Sequence, residues 1–137
     1  MSFYAVIGDP ISHSKSPFIH SLFAKQTGEP ISYVAQKVVA EKFEEFVSEF
    51  FKGGGLGLNV TLPHKERAYK LARNCDRGAQ MAEAANTLFL DSTGEICAAN
   101  TDGTGLVTDI KLNNGVQIRG KDLLLLGAGG AVRGALV

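Results

Sequence analysis

Short apolar runs alternate with amphipathic stretches along the chain, and this alternation is typical of α/β proteins. Residues 3–7 and 32–39 are rich in β-branched and aromatic side chains and are predicted to form strands. A third strand is expected at residues 56–58, behind three glycines. Residues 41–52 predict an amphipathic helix, because apolar side chains recur there at intervals of three and four: Phe43, Phe46, Val47, Phe50 and Phe51.

Two further apolar segments predict a β-hairpin. Residues 87–90 and 95–98 are separated by a polar turn that ends in Gly94, which can adopt a positive φ. Additional helices are expected from Pro17, with Ser16 as N-cap, and over residues 103–113. The fold class predicted is α/β: an open, mostly parallel sheet with helices on both faces and an antiparallel hairpin arm.

Polar clusters follow or flank four of the predicted strands. In open α/β sheets, ligands bind at the rim formed by the carboxyl ends of the strands. Because the arms of a hairpin are antiparallel, the residue before its first arm and the residues after its second arm lie at the same end of the sheet. We therefore expect one site that combines hydroxyls, an amide, a lysine and a carboxylate: Ser14, Ser16, Thr61, Asn86, Lys65 and Asp102.

The residue types in these clusters suggest a chemistry, although each has a simpler explanation. Hydroxyls near a helix N-terminus suit a carboxylate ligand, whereas Ser16 alone could serve only as a helix cap. A partly desolvated lysine oriented by a carboxylate can carry a proton. Lys65 and Asp102 could equally form a structural salt bridge between neighbouring loops.

Composition narrows the class of protein. The 14 basic and 14 acidic side chains balance, and the sequence contains no basic cluster, so no nucleic-acid partner is expected. No apolar run approaches the length of a membrane span, so no membrane association is expected. Cys75 and Cys97 lack metal or redox spacing, which favours reduced thiols in a cytoplasmic protein. The three histidines have no ligand-like spacing, so no metal is predicted.

The last segment resembles the opening of a dinucleotide-binding unit. Four leucines at residues 123–126 predict a buried strand, and a glycine loop follows them: Gly127, Ala128, Gly129, Gly130 and Ala131. The third glycine position of the fingerprint is Val132. We expect residues 1–114 to form a substrate-binding and catalytic domain with a linker helix. Residues 115–137 would be the incomplete beginning of a Rossmann domain, in a fragment of a longer protein.

The motifs at residues 8–17, 59–65, 85–87, 100–103 and 127–131 occur in the order and spacing of shikimate dehydrogenases, and the chain resembles this family along essentially its whole length. The resemblance implies an NADP-dependent oxidoreductase that reversibly reduces 3-dehydroshikimate to shikimate, in chorismate and aromatic amino-acid biosynthesis. It implies NADP rather than NAD, although the segment that discriminates them would lie beyond Val137.

The resemblance also implies roles for individual residues. Ser14 and Ser16 would hold the substrate carboxylate, and the ring hydroxyls would be bound by Thr61, Asn86 and Asp102. Lys65 and Asp102 would form the catalytic pair, and the glycine loop at residues 127–131 would approach the cofactor pyrophosphate.

Two alternatives share the same fold: a quinate/shikimate dehydrogenase, and a non-enzymatic regulatory homologue that binds shikimate or quinate. Retention of both Lys65 and Asp102 favours an enzyme. We expect the 137 residues alone to be inactive, and the leucine segment to be disordered or to bury itself in a homodimer.

Overall fold

Six strands form one sheet in the computed structural model, which describes residues 1–136; Val137, the last residue of the predicted second segment, lies outside the described residues. The spatial order is β2-β1-β3-β5-β6-β4. Of the described strands, β5 alone runs antiparallel to its neighbours. The predicted fold class and hairpin are confirmed. The strands are β1 (Ser2–Gly8), β2 (Ile31–Lys37), β3 (Gly57–Val60), β4 (Asn74–Cys75), β5 (Thr87–Leu90) and β6 (Ile96–Ala99).

Six α-helices connect and flank the strands: α1 (Ser16–Thr27), α2 (Phe43–Lys52), α3 (Lys65–Leu71), α4 (Arg77–Ala82), α5 (Asp102–Thr108) and α6 (Gly130–Ala135). The predicted helix at residues 41–52 is α2, preceded by a 3₁₀ turn at Ala40–Lys42. The predicted helix at residues 103–113 becomes α5 followed by a π-helical segment, Asp109–Asn113. No helix within residues 1–136 is both long and apolar enough to cross a bilayer.

The core lies between α2 and one face of the sheet. Phe43 and Val47 are fully buried, and they pack in one cluster with the inward side chains Ile7, Leu58 and Leu88 of three strands. The apolar stripe read from the sequence is therefore the face that α2 buries. This packing fixes the inner strands whose ends carry the polar clusters.

Helix α1 begins one residue earlier than predicted. Ser16 is its first residue and Lys15 is the N-cap, without a side-chain hydrogen bond, so the predicted N-cap role of Ser16 is wrong. The apolar side chains Phe18, Leu22 and Phe23 of α1 remain exposed. Helical periodicity marks an apolar face, but a face is buried only when another element lies against it.

The four leucines at residues 123–126 do not form the strand that the sequence predicts. Their side chains are exposed, and no described strand lies beside them. A strand of a parallel sheet depends on hydrogen bonds from neighbours and on cover for both faces, and this segment has neither. The helix that follows is nevertheless formed, and α6 packs against α4 and α5.

The contact between α5 and α6 depends on a glycine. A Cβ atom on Gly103 would lie 1.8 Å from the carbonyl oxygen of Gly134, whereas a Cβ on Gly105 would meet no atom within 4 Å. We expect Gly103→Ala to displace α6 and to speed amide hydrogen exchange at residues 130–135. The control Gly105→Ala should leave that exchange unchanged and stabilise α5 by about 0.5–1 kcal/mol. Equal protection of α6 in both variants would contradict this packing.

Candidate active site

The polar clusters meet because backbone hydrogen bonds align the ends of four strands. Thr61 N donates to Ile7 O at 3.0 Å, which joins the loop after β3 to the end of β1. Val60 N donates to Asn86 O at 2.8 Å, and Asn86 N donates to Ala99 O at 3.0 Å. Thr61, Asn86 and the residues after Ala99 therefore lie side by side at one rim of the sheet.

His64 anchors the loop that presents Lys65. Its ring is fully buried, stacks on Phe43 with the centroids 4.9 Å apart, and donates from Nε2 to Val38 O at 2.7 Å. Lys65 is the first residue of α3, and its carbonyl accepts a hydrogen bond from Ala85 N at 2.8 Å. The adjacent residue is thus fixed in the core while the Lys65 side chain extends along the rim.

Lys65 and Asp102 form a direct ion pair. Lys65 Nζ lies 2.6 Å from Asp102 Oδ2, and the side chains are 18% and 32% exposed. Asp102 is the first residue of α5, so the pair joins the N-termini of two helices. The two residues are 37 positions apart, and the sheet brings them together as expected. Partial burial shields the pair from water while leaving it open to a small ligand.

Asn86 completes the cluster by binding the other oxygen of Asp102. Its Nδ2 donates to Asp102 Oδ1 at 3.0 Å and to Thr101 Oγ1 at 2.9 Å. Its Oδ1 accepts from Thr87 Oγ1 at 3.0 Å and from Thr101 N at 3.2 Å. All four hydrogen-bonding positions of the amide are filled, so a ligand hydroxyl that binds Asn86 must replace one of these partners.

These residues surround a cavity of about 380 Å³. Five of the six predicted site residues line it: Ser16, Thr61, Lys65, Asn86 and Asp102. Ser14 lies beside the lining, with its hydroxyl accepting a hydrogen bond from Ser16 N at 3.3 Å. The structure thus brings the predicted residues to one place, with Ser14 set behind Ser16.

The other lining residues include His20 and Asn59, whose polar side chains were not predicted as site residues from the sequence. His20 lies one helical turn after Ser16, and its Nδ1 donates to Ser16 O at 2.9 Å. That spacing of four in a predicted helix was the available signal. Asn59 begins the polar stretch that was predicted to follow the third strand, whereas the structure places it within β3.

A second, smaller cavity separates the lysine loop from the glycine loop. It measures about 300 Å³ and is lined by residues on both sides, including Pro63, Lys65, Gly129 and Gly130. Gly127 has a φ of +131°, and a Cβ on Gly130 would lie 2.8 Å from Ala84 Cβ. The loop therefore requires glycine in order to approach the rim, and its backbone could contact a phosphate-bearing cofactor beside Lys65.

Helix α6 holds the glycine loop against the elements that carry the site. Arg133 donates from Nε to Ala82 O at 2.7 Å, and its Nη2 pairs with Glu66 Oε1 at 2.7 Å. Glu66 directly follows Lys65, and the α6 residue Gly134 packs on Gly103, which directly follows Asp102. The glycine loop is thereby tied to the starts of both helices that carry the ion pair.

The arrangement combines three capacities. The Ser16 hydroxyl can bind an anion, and the amide and carboxylate can orient ring hydroxyls. Lys65, held by Asp102, can exchange a proton with an oxygen atom in the cavity.

Known proteins share this chain's sequence and fold. A profile of the shikimate dehydrogenase substrate binding domain matches residues 6–88. The NADP(+) shikimate dehydrogenase of Marinobacter nauticus is 55% identical over 133 residues, which cover 97% of this chain and 48% of that protein. The chain spans about half the length of the curated relatives it matches.

Solved structures give the same result. The Ael1 enzyme from Pseudomonas putida superposes with a TM-score of 0.93 at 48% identity, covering 99% of this chain and 50% of that one. The Thermus thermophilus shikimate 5-dehydrogenase, solved with NADP(H) and shikimate, gives 0.88 at 34% identity, covering 98% and 50%. The chain belongs to the shikimate dehydrogenase family, with the family's substrate binding domain at residues 6–88.

Proposed function

We propose that this chain provides the substrate site and the acid–base pair of an NADP-dependent shikimate dehydrogenase, which interconverts shikimate and 3-dehydroshikimate. The half-buried Lys65–Asp102 pair carries the proposal, because it opens on the same cavity as Ser16, Thr61 and Asn86. The name of the Marinobacter relative and the ligands of the Thermus structure support this choice of substrate and cofactor.

We propose an orientation for the substrate in the cavity. The carboxylate would bind the Ser16 hydroxyl at the N-terminus of α1, with the Ser14 hydroxyl behind it. The ring hydroxyls would then face Thr61, Asn86 and Asp102, which line the same cavity as Ser16. Asn86 would exchange one of its present partners for a ring hydroxyl.

Lys65 would carry the proton. In the reductive direction the Lys65 ammonium gives its proton to the carbonyl oxygen. In the oxidative direction Lys65 first releases a proton to water, and the neutral amine then takes the proton of the reacting hydroxyl as the hydride leaves the carbon. Asp102 holds Nζ at 2.6 Å and so keeps the amine directed into the cavity. The hydrogen bond from Asn86 keeps the Asp102 carboxylate in the orientation that faces Lys65.

NADP would supply or accept the hydride when bound. The residues present fit such a group, because the glycine loop at residues 127–131 can approach a phosphate closely and borders the cavity beside Lys65. We propose that this loop contacts the pyrophosphate and that further contacts come from a complete nucleotide-binding domain. Residues 115–137 would be the start of that domain, after a substrate-binding domain at residues 1–114.

Three further proposals concern the localisation, the partners and the oligomeric state of the protein. We propose a cytoplasmic protein, because both cysteines are free thiols. We propose no nucleic-acid partner, since the chain has no net charge and no basic cluster. We also propose no membrane partner, since no apolar run in the sequence approaches the length of a membrane span. A homodimer that covers the exposed leucines at residues 123–126 is also proposed.

The proposed function can be tested with a fusion enzyme, in which residues 1–137 are joined to the part of the Marinobacter nauticus relative that this chain does not match. We expect this enzyme to reduce NADP with shikimate, and to turn over quinate much more slowly. Residues 1–137 alone should give no turnover. A soluble, folded fusion enzyme that binds NADP but does not oxidise shikimate would contradict the proposal, and a preference for quinate would favour the quinate/shikimate alternative.

A further inference from the structure

On the basis of the proposed function, we propose that Tyr33 is a positioning residue for substrate binding, acting through Asn59 and Thr87 on the amide of Asn86. The Tyr33 hydroxyl donates to Asn59 Oδ1 at 2.6 Å, although the two residues are 26 positions apart. Tyr33 does not line the cavity, so its effect on a ligand must pass through other side chains.

The Tyr33 ring is held in place by a side chain of α1. It stacks on His20, with the ring centroids 3.9 Å apart and the planes 9° from parallel. His20 is in turn fixed by its hydrogen bond to Ser16 O. Burial raises the pKa of Tyr33 to about 12, against the opposing effect of the neighbouring Ser16 hydroxyl. The phenol therefore keeps its proton, and its role as donor, throughout the neutral range.

The donors and acceptors that follow run in one direction. Because Asn59 Oδ1 accepts from Tyr33, Asn59 Nδ2 points toward Thr87 Oγ1, at 3.3 Å. The Thr87 hydroxyl has one proton, and it donates that proton to Asn86 Oδ1 at 3.0 Å. Asn86 Nδ2 then faces Asp102 Oδ1 at 3.0 Å. We call Tyr33, Asn59 and Thr87 the relay.

The direction of the relay matters for Asp102. If the Asn86 amide were reversed, its oxygen would face the Asp102 carboxylate, and two acceptors would be placed together. Thr101 N supports the same orientation of Asn86, so loss of the relay should weaken the arrangement and not abolish it. The ion pair with Lys65 itself holds the Asp102 carboxylate at 2.6 Å, so weakening the relay should act mainly on the substrate contacts of Asn86. Those contacts are made in the ground state and in the transition state alike, so KM should rise and kcat should stay nearly unchanged.

The test compares matched substitutions in the fusion enzyme. Tyr33→Phe removes the first donor but keeps the ring that stacks on His20, and Thr87→Val removes the hydroxyl that reaches Asn86. Each should raise KM for shikimate about two- to tenfold, the range expected for one neutral hydrogen bond, with kcat within about twofold. Thr87→Ser keeps the hydroxyl and should restore the original KM.

Two further comparisons distinguish a relay from general loss of structure. Tyr4 is paired with Tyr33 in the register of β1 and β2, and Tyr4→Phe makes the same chemical change outside the relay. It should leave KM unchanged. Because Tyr33 acts through Thr87, the double variant Tyr33→Phe/Thr87→Val should raise KM no further than the larger single effect.

The inference is overturned if Tyr33→Phe matches Tyr4→Phe in KM, if the two relay substitutions multiply, or if Tyr33→Phe lowers kcat and not affinity. These outcomes are distinct from failure of the proposed function, which is judged by whether the unsubstituted fusion enzyme oxidises shikimate at all.

Discussion

Replacing Lys65 with alanine is expected to lower kcat of the fusion enzyme for shikimate by about 10²–10⁴-fold, the usual effect of losing a general acid–base group. KM for shikimate should change little, because Ser16, Thr61 and Asn86 remain to bind the substrate. Initial rates at saturating NADP, measured over a range of shikimate concentrations, separate the two parameters.

Lys42→Ala is the matched control for this experiment. Lys42 also pairs with a carboxylate, that of Glu45 at 2.7 Å, but both side chains are largely exposed and neither lines the cavity. This substitution should leave both kinetic parameters unchanged, since exposed pairs contribute little. If the Lys65→Ala enzyme retains turnover within a few-fold of the original, Lys65 does not carry the proton.

Changing Ser14 and Ser16 together to alanine should raise KM for shikimate by about 10–100-fold, because the Ser16 hydrogen bond to a charged carboxylate is lost together with the Ser14 hydroxyl that supports it. The kcat value should fall by no more than a few-fold. Ser16→Ala alone should account for most of the effect, since Ser16 lines the cavity and Ser14 supports it through Ser16 N.

The structure also allows carboxylate binding by these serines to be distinguished from helix capping. The N-cap residue Lys15 makes no side-chain bond to α1, and Ser14 contributes a 3.3 Å hydrogen bond from Ser16 N, so the double substitution should shift the thermal midpoint only slightly. Ser21→Ala serves as the control, because Ser21 is exposed on the same helix and bonds only to Phe18 O. A large loss of thermal stability with an unchanged KM would mean that the serines stabilise α1 and do not bind the carboxylate.

Helix α2 and the β-hairpin could be predicted because their signals are local. The stripe from Phe43 to Phe51 has helical spacing, and Gly94 marks the hairpin turn. The meeting of Lys65 and Asp102 followed from topology, since the direction of each strand fixed the rim at which its polar end lies. No side-chain geometry was needed for these steps.

Features that depend on distant partners could not be predicted in the same way. Strand β4 has only two residues, Asn74 and Cys75, and it exists because β6 lies beside it. The leucines at residues 123–126 have the composition of a strand, but the described structure supplies no neighbouring strand. Local pattern gives the capacity of a segment to form an element, and the presence of a neighbour decides whether it does so.

The role that we propose for Tyr33 illustrates the same limit. In the sequence it is one of several aromatic residues in a strand, where aromatic side chains are common for packing reasons. Its link to the site depends on a hydroxyl that reaches across β1 to Asn59 in β3, and on the ring of His20 from α1. Three separate elements must be placed before that contact can be recognised.

The most direct measurement of the central claim is a crystal structure of the fusion enzyme with bound shikimate. We predict that the carboxylate lies against Ser14 and Ser16, and that the hydroxyl to be oxidised lies within hydrogen-bonding distance of Lys65 and Asp102. Asn86 should have exchanged one of its four present partners for a ring hydroxyl. Shikimate bound with its carboxylate at Lys65, or in the neighbouring apolar cavity beside Tyr4 and Phe23, would contradict the account.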